Sequence, residues 1–189
     1  MIGKTHALIG ASIVMASNEI YPFIQAHSIQ GVSVGPLLCA GAAVVGALLP
    51  DLDAEESTIK RELGLVGRVG SGILRLIGVK HRGATHWGIV GLGILILSIL
   101  LGLKTGYVDV GLAFGSGYLS HLLADALTIQ GVALLWPYPK NSHLLPGILR
   151  IRTGSPIETL LFTILAISFI IFLLPDIIPP EAWQLGDLR

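Results

Sequence analysis

One cysteine, Cys39, excludes a disulfide framework and a cysteine-rich zinc site. Its neighbours Leu38, Ala40 and Gly41 mark it as a small packed residue. Charge is equally scarce. Asp, Glu, Lys and Arg make up 13% of the chain, against about 25% in a soluble domain. Acids and bases cancel to zero, so there is no basic face for nucleic acid. The apolar run from Ala7 to Ala16 continues past any clear Ala-x-Ala cleavage site, so residues 1–20 are expected to remain in the mature chain. What the chain has instead is apolar surface: 52% hydrophobic residues and 24 glycines in 189 residues, with a mean hydropathy of +0.78. Glycine is more frequent in membrane helices than in soluble ones. The expected fold is all-α, one polytopic membrane bundle over residues 1–189.

A span needs about 20 mostly apolar residues. Five segments qualify or come close: Thr5–Phe23, Val32–Leu49, His86–Leu103, Asp109–Gln130 and Ile157–Leu174. The first is borderline, because Asn18 and Glu19 lie at its far end and Pro22 stops it. The second is rich in Gly and Ala and reads as a central helix, since small residues let helices approach closely. The third is bulkier and reads as lipid-facing. Between them, the polar loop 50–85 contains an amphipathic stretch, Ser57–Val79, either lying on the membrane surface or packed on the bundle as a linker helix. With five spans, Lys4, Lys60, Arg61, Arg68, Arg75, Lys80, Arg82, Lys140, Arg150 and Arg152 share one side, and Lys104 and Arg189 the other. The positive-inside rule makes the first side cytoplasmic. Loops 50–85 and 130–156 then both face the cytoplasm, and the second can fold over as a lid.

The reactive residues gather at that cytoplasmic face. His121 and Asp125, four apart, share one helix face. Imidazole and carboxylate are a standard mixed ligand pair, and ionisable groups inside an apolar span are costly enough to suggest function. His6 opens the first segment, Asp51 and Asp53 follow the second, and His81 and His86 flank the start of the third. A short parallel repeat supports the grouping: Thr5-His6 echoes Thr85-His86, and each is followed by a returning helix with acids near its end. Thr5 and Thr85 read as N-caps. Seven candidate donors suffice for one or two zinc (Zn2+) ions, with manganese or magnesium as other options. Such ions activate water and polarise phosphoryl oxygens. Asp53 reads as a base or an orienting group, and Arg82 as a phosphate ligand or an interfacial charge. His27 reads as a solvated loop residue on the far side, and His143 as an outlying candidate for the site. Gly154-Ser155-Pro156 reads as a capped helix start with Pro near its first position.

Thr-His near the N-terminus, Leu49-Pro50-Asp51-Leu52-Asp53, His81-Arg82-x-x-Thr85-His86 and Ser120-His121-Leu122-Leu123-Ala124-Asp125, with a following Leu-Trp-Pro, occur in that order. The combination resembles the YdjM-type family of small inner-membrane proteins, described as membrane-bound, metal-dependent hydrolases. It is more distantly similar to zinc-dependent phospholipase C and related single-strand nucleases. The resemblance implies an inner-membrane location and His6, Asp51, His81 or His86, His121 and Asp125 as metal ligands. Those enzymes use two His-x-x-x-Asp helices and this chain has one, which favours one or two ions over three.

The sequence thus leads to a metal-dependent hydrolase acting on a phospholipid or related amphiphile. A transporter or metal-ion carrier is the first rival, and it requires polar groups that continue across the bilayer. A non-catalytic scaffold with a structural metal is the second, and it requires a closed ligand set.

Overall fold

The computed structural model describes residues 1–29, 32–53, 83–138 and 140–177. Among them are five α-helices: α1 (Gly3–Ile20), α2 (Gly35–Leu48), α3 (Gly88–Thr105), α4 (Val108–Ala126) and α5 (Pro156–Ile177). The all-α expectation and the number of helices therefore hold. A short antiparallel ladder, Ser28–Ile29 (β1) against Val32–Ser33 (β2), lies in the connection from α1 to α2. The amphipathic stretch Ser57–Val79 lies outside the described residues.

Helix α4 is central. It packs on α1, α2 and α3, and α5 packs on α1. Small residues make this possible. A Cβ on Gly117 would run into the Ala43 carbonyl of α2, and one on Gly46 would run into the Phe114 carbonyl of α4. The two backbones touch where glycine faces them, and α2, the Gly/Ala-rich helix expected at the centre, lies against α1 and α4. Two apolar clusters fill the bundle: Val14, Cys39, Ala43 and Ala113 in one, Tyr118, Leu122, Ala126 and Val132 in the other.

The outer faces of α3 and α5 are bare Ile and Leu, including Ile96, Leu100, Ile164 and Ile171. Gly88–Thr105 and Pro156–Leu174 are long and apolar enough to cross a membrane, and the apolar stretch Gly35–Asp51 is shorter. An exposed apolar face of that size is stable only against lipid or protein.

The two threonine caps are not formed. The chain before α1 is extended at Ile2, and no side chain caps the helix. The Glu158 carboxylate accepts the Ile2 N–H at 2.6 Å instead, so a donor at this helix start is satisfied from α5. Thr85 lies in a 3-10 turn, Ala84–His86, before α3, so His86 precedes that helix rather than opening it. The start of α5 does follow expectation: Ser155 Oγ accepts the Glu158 N–H at 3.3 Å, with Pro156 as first helical residue.

His27 corrects the sequence reading. It is a partner of Asp109, with Nε2 at 3.0 Å from Oδ2, and it stacks on Tyr107. Asp109 is buried at the start of α4 and also accepts the Gln25 N–H at 2.9 Å. Its neighbour Cys39 is fully buried and directs Sγ at the same carboxylate. A buried carboxylate needs such donors, and the chain's return through residues 21–34 supplies Gln25 and His27. Asp109→Ala should destabilise the protein by about 1–3 kcal/mol through the donors left unpaired, read as an earlier thermal midpoint in detergent, while behaviour at the opposite end of α4 is unchanged.

Candidate metal centre

Five of the anticipated residues meet at one end of the bundle. His6 lies in the first turns of α1. Asp51 lies in the 3-10 turn Leu49–Asp53 that ends α2, where Pro50 breaks the helical hydrogen-bond pattern. His86 ends the 3-10 turn before α3, and His121 and Asp125 occupy the last turns of α4. His6, His86, His121 and Asp125 are buried. The Asp51 side chain, 24% exposed, forms the side open to the exterior.

The distances have a pattern. His86 Nε2 lies 3.5 Å from Asp51 Oδ1 and 3.9 Å from Asp125 Oδ2. His121 Nε2 lies 3.7 Å from Asp51 Oδ1 and 3.8 Å from Asp125 Oδ2. Each imidazole nitrogen thus faces both carboxylates, at separations long for a hydrogen bond. They are close to the edge of a tetrahedron, which for metal–ligand bonds of about 2.1 Å is about 3.4 Å. His6 stacks on His121 with ring centroids 3.8 Å apart, and its Nε2 is 3.2 Å from Asp125 Oδ1. Two donor triads result, His6–Asp51–His121 and His86–His121–Asp125, each with its atoms within 4.8 Å of one another. His121 belongs to both.

Among the described residues, neither Nδ1 of His6 nor Nε2 of His121 has a hydrogen-bond partner. Leaving such atoms buried and unsatisfied costs about 1–3 kcal/mol each. A cation among them would accept those lone pairs, so the donor set fits a zinc-class ion.

A second layer orients the donors. His121 Nδ1 is 2.7 Å from the Ala47 carbonyl. Only the Nδ1–H tautomer can donate there, which leaves the Nε2 lone pair facing the carboxylates. Thr85 Oγ1 is 3.1 Å from His86 Nδ1. The Tyr118 hydroxyl donates to the Thr85 carbonyl at 2.6 Å and ties that turn to α4. The Met1 amino group is 2.8 Å from Asp125 Oδ1. Glu158, fully buried, accepts from Ile2 and Gly154 backbone N–H groups and so fixes the chain four residues before His6. Burial alone would raise the Asp51 carboxyl, but the adjacent His86, His121 and His6 imidazoles outweigh it and hold it at about 2. Asp51 therefore keeps its charge through the mildly acidic range.

Asp53 ends the 3-10 turn, and its side chain lies outside the described residues, as do His81 and Arg82. His143 does not join either triad; its Nε2 is 3.2 Å from the Ile129 carbonyl. Sequence reasoning missed the Ala47 carbonyl, because backbone acceptors leave no signature in side-chain spacing. Glu158, an acid in the first turn of an otherwise apolar helix and by sequence a possible supporting contact of the site, acts through residue 2 instead of on a donor directly.

Comparison with known proteins agrees with this geometry only at the level of family. The model of the family described as YdjM inner membrane protein matches residues 1–180. YvsG, an uncharacterized protein of Bacillus subtilis (strain 168), is 30% identical over 171 residues, covering 89% of this chain and 91% of YvsG. The inner membrane protein YdjM of Escherichia coli (strain K12) is 36% identical over 99 residues, 51% of this chain and 47% of that protein. The YdjM of Shigella flexneri matches over the same length with the same identity. No solved structure matches. With the match running through all five helices and every donor of the two triads, the chain belongs to the YdjM family of inner membrane proteins.

Proposed function

We propose that this protein is a multi-pass, metal-dependent hydrolase whose site faces the cytoplasm and cleaves a phosphoester of a phospholipid or related amphiphile. The observation that carries the reading is the convergence of His86, His121, Asp51 and Asp125 at tetrahedral-edge separations, with His121 Nε2 buried and unpartnered. These four residues would hold the ion, with His6 beside them. A zinc-class ion supplies Lewis acidity and an activated water. The chain's own contributions are orientation and exclusion of solvent. Ala47 holds the His121 ring, Thr85 holds His86, and the helix packing keeps bulk water from all donors except Asp51. A site at the end of a membrane bundle meets substrates at headgroup depth. Asp53 would serve as base or orienting group and Arg82 as phosphate ligand.

The test uses the full-length chain, purified and reconstituted with zinc or manganese. Stoichiometric metal and release of phosphate or headgroup from a panel of short-chain phospholipids are expected. Absence of stoichiometric metal after both reconstitutions would defeat the proposal.

Two rivals each have an observation in their favour. A shell of four protein donors resembles a closed structural site, so a scaffold with a structural metal predicts bound zinc with no turnover on any phosphoester. The Asp109–His27 pair shows that polar groups are not confined to one end of the bundle, so a carrier predicts zinc flux into liposomes that Asp125→Ala abolishes.

A further inference from the structure

The connection from α4 to α5 is stitched to the donor-bearing turns. The Leu144 N–H donates to the Ala126 carbonyl at 2.8 Å and the Ile151 N–H to the Leu127 carbonyl at 3.0 Å, both just beyond Asp125. On the other side, Gly88 N–H donates to the Leu134 carbonyl at 3.1 Å, and Trp87 stacks on Trp136 with centroids 3.9 Å apart, next to His86. The connection is therefore a fixed shelf beside the candidate metal centre.

Its outer surface is unusual in two ways. Leu135, Trp136, Tyr138 and Leu149 are exposed, and Ile148 is 94% exposed. Aqueous surfaces do not sustain such a patch, and aromatic residues of this kind concentrate at membrane interfaces. The charge is also one-sided: Lys140, Arg150 and Arg152 occur with no Asp or Glu between Asp125 and Glu158. Lys140 and Arg152 are exposed. Apolar side chains that need lipid and cations that need anions, on one connection, are complementary to an anionic bilayer surface and not to a zwitterionic one.

We propose that this shelf is a docking surface for anionic phospholipid headgroups. Ile148, Leu149 and Leu135 enter the acyl boundary, and Lys140, Arg150 and Arg152 meet the negative headgroups. An interface rich in anionic lipid is thereby held beside the Asp125 and His86 turns of the centre. The shelf requires neither metal nor turnover.

The experiment places a bimane label at Ile148→Cys in a Cys39→Ser background, with full-length protein reconstituted into phosphatidylcholine vesicles with or without phosphatidylglycerol. Quenching by lipid-attached nitroxide should rise about threefold when phosphatidylglycerol is present, and Lys140→Glu/Arg152→Glu should remove that rise. Since both positions are exposed, the double variant leaves the fold intact; adding Arg150→Glu tests the third charge. Quenching by aqueous iodide that is equal in the two lipids would overturn the proposal. Protection from both quenchers would also overturn it, because another protein segment, such as residues 54–82, would then cover the patch.

Discussion

Replacing His121 with Ala should lower zinc affinity by more than about 100-fold, beyond what the loss of a supporting contact costs. The expectation follows from connectivity. Among the described residues, His121 is the one donor common to both triads. Removing His6 or His86 leaves one triad intact, whereas removing His121 leaves none. The ring also contacts its neighbours on both sides, stacking on His6 and lying edge-on to His86, so its loss frees two further imidazoles to turn. Zinc titration of the purified protein checks this, with His143→Ala as a variant whose affinity should not change. His121→Gln preserves most of the buried volume and separates loss of the ligand from loss of packing. Zinc bound equally by both His121 variants and the unaltered chain would rule out the centre as drawn.

Gly117→Ala should destabilise the bundle by about 1–3 kcal/mol through overpacking, and it should weaken the centre as well. The added Cβ meets the Ala43 carbonyl, which is backbone and cannot swing aside. Helices α2 and α4 must then separate. Ala47 lies one turn beyond Ala43 on α2, and its carbonyl orients His121 at 2.7 Å. Separation therefore loosens an orienting contact, with an expected affinity loss of about 10-fold. Gly93→Ala is the contrasting variant, because nothing lies within 4 Å of its Cβ position. It should leave zinc affinity unchanged and the thermal midpoint no lower than that of the unaltered chain. Equal midpoints for Gly117→Ala and Gly93→Ala would show that the two helices are not in backbone contact.

The five helices were legible because apolar length and glycine content report on packing and solvent directly, and these do not depend on long-range detail. The grouping of His6, Asp51, His86, His121 and Asp125 was legible for a related reason: threading successive hairpins brings one end of each helix to the same level. The centre's inner arrangement was not. That His86 sits in a 3-10 turn, that Ala47 sets a tautomer and that Glu158 takes over the capping role assigned to Thr5 all depend on contacts between residues far apart in the chain. His27 illustrates the same limit. Next to Gln25 and Ser28 it looks like a loop residue, and only the return of the chain over the start of α4 gives it Asp109 as a partner.

Asp109 and Asp125 stand sixteen residues apart on α4, about 24 Å along its axis. Each is held by groups from other segments: Gln25 and His27 at one end, Met1 and His6 at the other. A slip of α4 by a single residue would turn it by about 100° and shift it by about 1.5 Å, withdrawing both carboxylates together. The helix is thus supported at two points like a beam, and its register is fixed by both. Helices α3 and α5, with their bare apolar faces, pack on α4 and α1 from the outside.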